Sequence, residues 1–446
     1  MKLSAPIIRC VVLVSLIAGS GASASDVKKT YTFHSQRKAG QTDRVVVLLE
    51  VGGETKFLDK GKPRREKMGV VCSLDYLEKT LETPAEADGV LRGVRHYRRA
   101  AATVKVGDDR FEPALRPEHR LIGVEAAQRT ALLYSPGGSL SRGELDAIDI
   151  QVNSLLLDRL LPSGPIVVGR SWPLDKNLMA AMLGLDEVAK STVEGTLKEV
   201  TDIVARFELT GRVEGRVHGA GTDIELKGRY RFDLRTKRVD WLGMLIKEDR
   251  QAGDVADGVD VVSRLQLTVT PVKEPKELAR AALDKLDLKP AAESTCLTYE
   301  FPGGGFRCRY DRRWYADNSS GVLRLMNRGI LAGQCNLALL PKRDPNRLVS
   351  LEKFQEDVRK ALGDNFSKFV AAGQSVNESG YRVLRVVADG AVPGKPDNVP
   401  IRWIYYHLAD RQGHQSALTF TIEQEHTDRF ADADEPIVES LRFVER

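Results

Sequence analysis

The chain has 446 residues and a mass of 49.3 kDa, more than one ordinary hydrophobic core organises, so two or more folding units are expected. Hydrophobic residues make up 42% and charged residues 29%, the balance of a soluble globular protein, which argues against a disordered chain and a multi-span membrane protein. Lys and Arg number 67 against 62 Asp and Glu, formally +5, too weak a bias to argue for nucleic acid.

Residues 1–24 read as a secretory signal peptide. Lys2 and Arg9 give a positive start, residues 10–19 a short apolar run, and Ala22-Ser23-Ala24 a small-x-small cleavage site. Arg9 interrupts the apolar run before the ~20 residues a membrane helix needs. The expectation is a soluble protein, periplasmic or secreted, with no transmembrane segment after cleavage.

Residues 26–272 read as strand-rich. Val45–Val51 and Ala101–Val106 are early strands. From Ala205 to Val217, Ala205, Phe207, Leu209, Val213 and Val217 alternate with Arg206, Glu208, Arg212, Glu214 and Arg216. Ile224, Leu226, Tyr230, Phe232 and Leu234 repeat the pattern, with Gly219-Ala220-Gly221 as the turn. Period two with one charged face predicts an antiparallel sheet, wet on one side. Val239–Ile246 and Leu265–Val269 continue the meander. Helices at 143–161 and 176–183 are predicted to cover the apolar face; the first aligns Leu145, Ile148, Val152, Leu155, Leu156 and Leu160.

Residues 273–294 read as a helical linker, with Pro275 in a charged break, Leu278, Ala282 and Leu286 at helical spacing, and Pro290 at the stop. Residues 295–446 mix strands and helices. Thr298–Phe301 and Phe306–Tyr310 flank a Gly-rich turn, and Val322–Met326 and Cys335–Leu340 follow. Ser350 caps a helix with Leu351, Phe354, Val358 and Leu362 inward, stopped by Gly363. Three strands come next, at Tyr381–Ala388, Ile401–Leu408 and Ala417–Glu423. A final helix from Thr427 packs Phe430, Ile437 and Leu441.

Two stretches carry family resemblances. Leu160-Leu-Pro-Ser-Gly-Pro-Ile-Val-Val-Gly-Arg-Ser-Trp172, followed by the meander, resembles exported half-barrel proteins related to lipoprotein carriers. That implies a concave apolar surface able to hold a lipid-like group. Gly305-Phe-Arg-Cys-Arg-Tyr-Asp-Arg-Arg-Trp314 and Ile437-Val-Glu-Ser-Leu-Arg-Phe443 together resemble the PsbP-like superfamily, departing from it at Asp311-Arg312-Arg313, where a Pro before the Trp is common. That implies an α/β/α sandwich with accessory, binding or assembly roles. The expected fold class is α+β: an N-terminal antiparallel curved sheet, a half-barrel with covering helices, then a C-terminal α/β/α sandwich on an antiparallel sheet at 295–446.

Chemistry-bearing motifs are sparse. Of the seven histidines, His34, His96, His119, His218, His407, His414 and His426, none forms HxH or HExxH. His414 and His426, with Glu423 and Glu425 between them, lack metal-ligand spacing. His218 falls on the charged face of its strand. Ser135-Pro-Gly-Gly-Ser139 reads as a loop rather than a nucleophile elbow. The basic stretches Lys60–Lys67 and Arg92–Arg99 read as a solvated hairpin loop and strand face, with peripheral contact to anionic envelope surfaces as the alternative. Trp314, Trp403, Tyr405 and Tyr406 read as core. No catalytic, cofactor-binding or metal residues are assigned and no cofactor is expected.

The resulting expectation is an exported non-enzymatic binding or assembly protein of the cell envelope. The alternatives are a carrier of a lipid-like apolar ligand and an enzyme whose site sequence does not reveal. Its partner would be an unidentified protein or apolar ligand, not nucleic acid. Cleavage would leave Cys72, Cys296, Cys308 and Cys335. Strand parity points Cys308 and Cys335 into apolar surroundings, so a single disulfide would join Cys308 to Cys335, with two buried free thiols as the alternative.

Overall fold

The computed structural model describes residues 29–444 except 60, 61, 85, 87, 88, 254, 303, 318–320, 328, 345–347, 395 and 396. The signal-peptide assignment at 1–24 lies outside the described residues. Of those described, 54% are in strands and 16% in helices, which corrects the α+β expectation.

The period-two segments form a sheet of thirteen strands. Its central run is Glu194–Val200, Val204–Val217, Ala220–Asp233, Arg238–Arg250 and Gly258–Pro271, then Thr42–Asp59, Lys62–Glu82 and Leu91–Val106. Neighbours along this run pair antiparallel, and Gly258–Pro271 meets Thr42–Asp59 over fourteen residue pairs. The path ends at Ser171–Pro173 and Ala131–Tyr134, which do not pair with each other. The described strands therefore close no barrel.

The alternation along Ala205–Val217 and Ala220–Asp233 is present in the sheet. Phe207, Leu209, Val213, Leu226, Tyr230 and Phe232 are buried, while Arg206, Arg212, Glu214 and Arg229 face water. The turn lies one step earlier than predicted, at His218-Gly219, where φ of 49° and 82° suit a tight hairpin. The predicted helix 143–161 is broken. Arg142–Ile148 is α-helical, Val152 sits at φ 69°, and Asn153 caps a 3-10 turn over Ser154–Leu160. Leu155, Leu156, Leu157 and Leu160 are fully enclosed against the inner face, and Tyr230 donates to the Leu160 carbonyl at 2.8 Å. Lys176–Leu183 forms as predicted, capped by Asp175 and closed by Gly184 at φ 70°. These side chains fill the face that a half-barrel carrier would keep open.

In the linker the helix is broken into short pieces, Lys276–Leu278, Arg280–Leu283 and the start of Ala292–Thr295, and Leu278 and Leu283 pack on Leu77 and Val94. Beyond it stands a seven-stranded sheet. The helix Leu351–Leu362 covers one face through Val358 and Leu362. The opposite face packs on the strands Leu297–Glu300 and Phe306–Tyr310 and the short helices Thr427–Phe430 and Glu435–Ser440. A helix layer on each side, as the α/β/α expectation required, is replaced on that face by a small sheet with two short helices. The strand Phe366–Val376, missed in the sequence, is a largely exposed edge without alternation. Leu140–Ser141 pairs parallel with Leu297–Glu300, and one apolar cluster runs from Phe33 to Leu441.

Charge also lies inside the large sheet. Arg95 Nε donates to Glu78 Oε2 at 2.8 Å and Arg95 Nη2 to Asn153 Oδ1 at 2.6 Å, while Ser154 Oγ donates to Glu78 Oε2 at 2.7 Å. Arg37 stands 3.8 Å from Glu78 and 3.4 Å from Asp158. Arg238 Nη1 donates to Asp43 Oδ2 at 2.6 Å. Glu78 and Asp43 are both 0% exposed. Removing one partner strands the other in a low-dielectric core. Glu78→Ala should therefore cost about 3–5 kcal/mol in urea unfolding, whereas Arg231→Ala, which breaks the rim pair with Asp240 at 2.8 Å, should cost about 1 kcal/mol or less.

Candidate functional site: a recess with two unpartnered carboxylates

The buried charges do not stop at Glu78. Arg95 stacks over Tyr76 at 4.7 Å, Tyr76 lies 4.9 Å from Tyr97, and both Tyr97 and Arg95 feel the charge of Asp149. A polar seam thus leads out of the sheet interior to the end of the helix Arg142–Ile148.

There Asp146 and Asp149 sit three residues apart, on one face of the helix end. Both side chains are exposed, and neither accepts a hydrogen bond or ion pair from the described residues. Yet Asp149 is pushed up to about 6 by desolvation, with Asp146 adding to the rise and Arg312, Arg142 and Arg95 opposing it. Desolvation raises Asp146 too, against Arg142. Water contact together with a disfavoured charge is what carboxylates bordered by protein show, and we call this place, between the helix end and Arg312, a recess.

The neighbouring arginines are already occupied. Arg142 Nη2 donates to the carbonyls of Arg312 and Trp314 at 2.6 and 3.0 Å. Arg312 donates to those of Thr295 and Leu133 at 2.8 and 3.1 Å. Arg142 also lies 4.8 Å over the Tyr315 ring, and the His218 ring lies 4.6 Å from the same ring. The recess is therefore built by both halves of the chain, and its two carboxylates accept no hydrogen bond from the described residues, while Arg142 keeps Nε without a partner.

The structure disperses the residues singled out in the sequence. His218 is half-buried on Tyr315 rather than exposed, and burial lowers its pKa, with Asp186 opposing and Arg250 and Arg142 adding to the fall. Arg95 belongs to the core, not to a solvated face, and Lys62–Lys67 lies in the strand Lys62–Glu82 rather than a loop. Glu423, Glu425 and His426 gather their ligand atoms within 4.8 Å, but His414 is instead held by Asp410. Trp314 is buried and donates to the Ala433 carbonyl at 3.1 Å, and Tyr406 donates to Asp434 at 2.6 Å. Cys308 and Cys335 both point into the core, near enough for one thiolate to disfavour the other, and the four described cysteines are free thiols. The Cys308–Cys335 disulfide remains a proposal. Asp43, Glu78, Arg238, Asp146 and Asp149 were missed. For Asp43 and Glu78 the signal was a charge at inward parity, with Val45 and Val47 in one strand and Leu74 and Tyr76 in the other.

No protein-family model matches the chain, and no curated protein matches it. Solved structures do. OccK2 (OpdF) of Pseudomonas aeruginosa is 9% identical, with 86% of this chain and 98% of that chain covered and a TM-score of 0.13. The outer membrane protein OprD of Pseudomonas aeruginosa is 10% identical, with 87% and 95% covered and a TM-score of 0.13. A BenF-like porin from Pseudomonas fluorescens Pf-5 is 7% identical, with 85% and 97% covered and a TM-score of 0.12. None of these is a PsbP-like domain or a half-barrel carrier, and both resemblances drawn from the sequence are withdrawn on the fold itself: strands dominate it, and a small sheet with two short helices stands where the second helix layer was expected. The reading as a periplasmic or secreted binding or assembly protein, with its carrier alternative, leaned on those resemblances and is withdrawn with them. The filled inner face is a second reason against the carrier. At such TM-scores the likeness carries no argument about what this chain does. The sheet's charged outward face is also the reverse of a lipid-facing barrel strand.

The raised Asp149 has a definite consequence for stability. Its folded pKa of about 6 exceeds the ordinary 3.8, so the folded state binds the proton more tightly. That contribution is complete below about pH 4 and disappears as pH rises through 6. Urea midpoints measured between pH 4 and 7 should fall less steeply in Asp149→Asn than in the parent chain; parallel curves would count against the recess.

Proposed function

We propose that the chain recognises a small amine-bearing solute in the recess, through Asp146 and Asp149. One observation carries this reading: two carboxylates, reached by water and unpartnered, stand together where the surrounding protein weakens hydration. A cationic head between them would replace the missing hydrogen bonds and relieve their mutual repulsion. Tyr315, Arg142 and Arg312 border the recess, and the two arginines, tied to carbonyls, fix its walls. The two folding units proposed at 26–272 and 295–446 would meet at this recess.

Calorimetry with putrescine and succinate on the full chain tests the reading. Putrescine should bind at least ten-fold more tightly than succinate, lose that affinity at least ten-fold in Asp146→Asn/Asp149→Asn, and bind more weakly at pH 5 than at pH 7.5. Equal binding of the diacid, or an unchanged affinity in the double variant, would remove the proposal.

A further inference from the structure

We propose a second site, separate from the recess, that takes an acidic saccharide ring in a cleft of about 500 Å³ lined by Tyr381, Asp410, Arg411, Gln412, His414 and Phe443. The cleft lies in the second half of the chain. It is formed by the turn into the strand Arg382–Val392, the hairpin at 410–414 and the short strand Arg442–Phe443.

Its wall is a ladder of three rings. Tyr381 stacks on Phe443 at 5.1 Å and 29°, and His414 lies 5.6 Å from Phe443 at 37°. All three are half-buried, so their outer faces and edges reach the cleft without being consumed by the core. The Phe443 backbone N–H donates to the Tyr381 hydroxyl at 3.2 Å, which ties the last strand to the turn.

The polar side of the cleft is equally fixed. Asp410 Oδ2 holds His414 Nδ1 at 2.7 Å, and Asp410 Oδ1 accepts from the backbone N–H of His414 and of Gln412, both at 2.8 Å. Gly413, at φ 85°, permits the tight hairpin. The carboxylate assigns the imidazole proton to Nδ1 and leaves Nε2 as the ring's free hydrogen-bonding atom. Arg411, exposed on the same hairpin, has no hydrogen-bond or ion-pair partner among the described residues.

These features select a ligand class. A pyranose has a flat C–H face suited to an aromatic wall and a rim of hydroxyls for His414 Nε2 and Gln412. A carboxylate on the ring would pair with Arg411. A planar hydrocarbon ring of the same size would leave those rim groups without partners, at a cost in affinity.

Ligand-observed NMR on the full chain, with galacturonate, methyl galactoside and benzoate as probes, decides the matter. Galacturonate should bind most tightly. His414→Gln should weaken both sugars at least ten-fold, and Arg411→Ala should weaken galacturonate alone, each variant keeping the parent's near-ultraviolet circular dichroism. Asp146→Asn/Asp149→Asn should leave galacturonate binding unchanged, which separates this site from the recess. Benzoate binding as tightly as galacturonate would overturn the saccharide class. Absence of sugar binding to the folded parent, or affinities unchanged in both cleft variants, would overturn the site.

Discussion

A carboxylate with no exposed surface, such as Glu78, survives ionised in a protein interior only if opposite charge and hydrogen bonds replace its lost water. Burial alone would raise its pKa. Arg95 and Arg37 and the hydrogen bonds from Ser154 and Arg95 outweigh burial and hold it below the usual carboxylate range. Those partners come from the strand Leu91–Val106, the segment before Thr42–Asp59 and the 3-10 turn Ser154–Leu160. Meeting one charge therefore fixes three distant pieces of chain. The broken helix follows from the same demand: Asn153 must both cap the 3-10 turn and accept from Arg95, and Val152 takes a left-handed backbone beside it.

Asp43 shows the other side of the balance. Burial dominates there and raises its pKa, despite Arg238, its hydrogen-bonded partner. Carboxylates held ionised by their arginines and carboxylates where burial wins thus coexist along one seam. The seam ends at Asp149, where the walls still disfavour charge but water enters. Progress outward along these residues is a change from charges answered by protein to charges left for something else to answer. That gradient gives the recess a physical claim to be a site rather than a patch of ordinary surface acids.

Much of this architecture was legible in the chain. The alternation in Ala205–Val217, the helix Lys176–Leu183 between Asp175 and Gly184, and the capped helix Leu351–Leu362 are local signals, and they appear where periodicity and capping put them. Parity placed Cys308 and Cys335 in the core. The layering was not legible, because short family-like motifs such as Gly305–Trp314 do not say which sheet or helix covers which face. The edge strand Phe366–Val376 escaped because an exposed edge needs no alternation. The recess escaped for a stronger reason. Asp146 and Asp149 look like solvent-facing helix residues, and only the arrival of Arg312 and Tyr315, more than 160 residues later, encloses them. A sequence signal did exist for the seam, since charges at inward parity in otherwise apolar strands require partners from elsewhere.

The central claim is that charge is graded along the seam, with Glu78 held ionised and Asp149 held partly protonated near neutrality. Side-chain carboxyl NMR titration of the full chain, with assignments made through Glu78→Gln and Asp149→Asn, measures both groups in one experiment. Glu78 should stay ionised below its ordinary 4.5, and Asp149 should titrate near 6. Both groups titrating together near 4, as free carboxylates do, would contradict it.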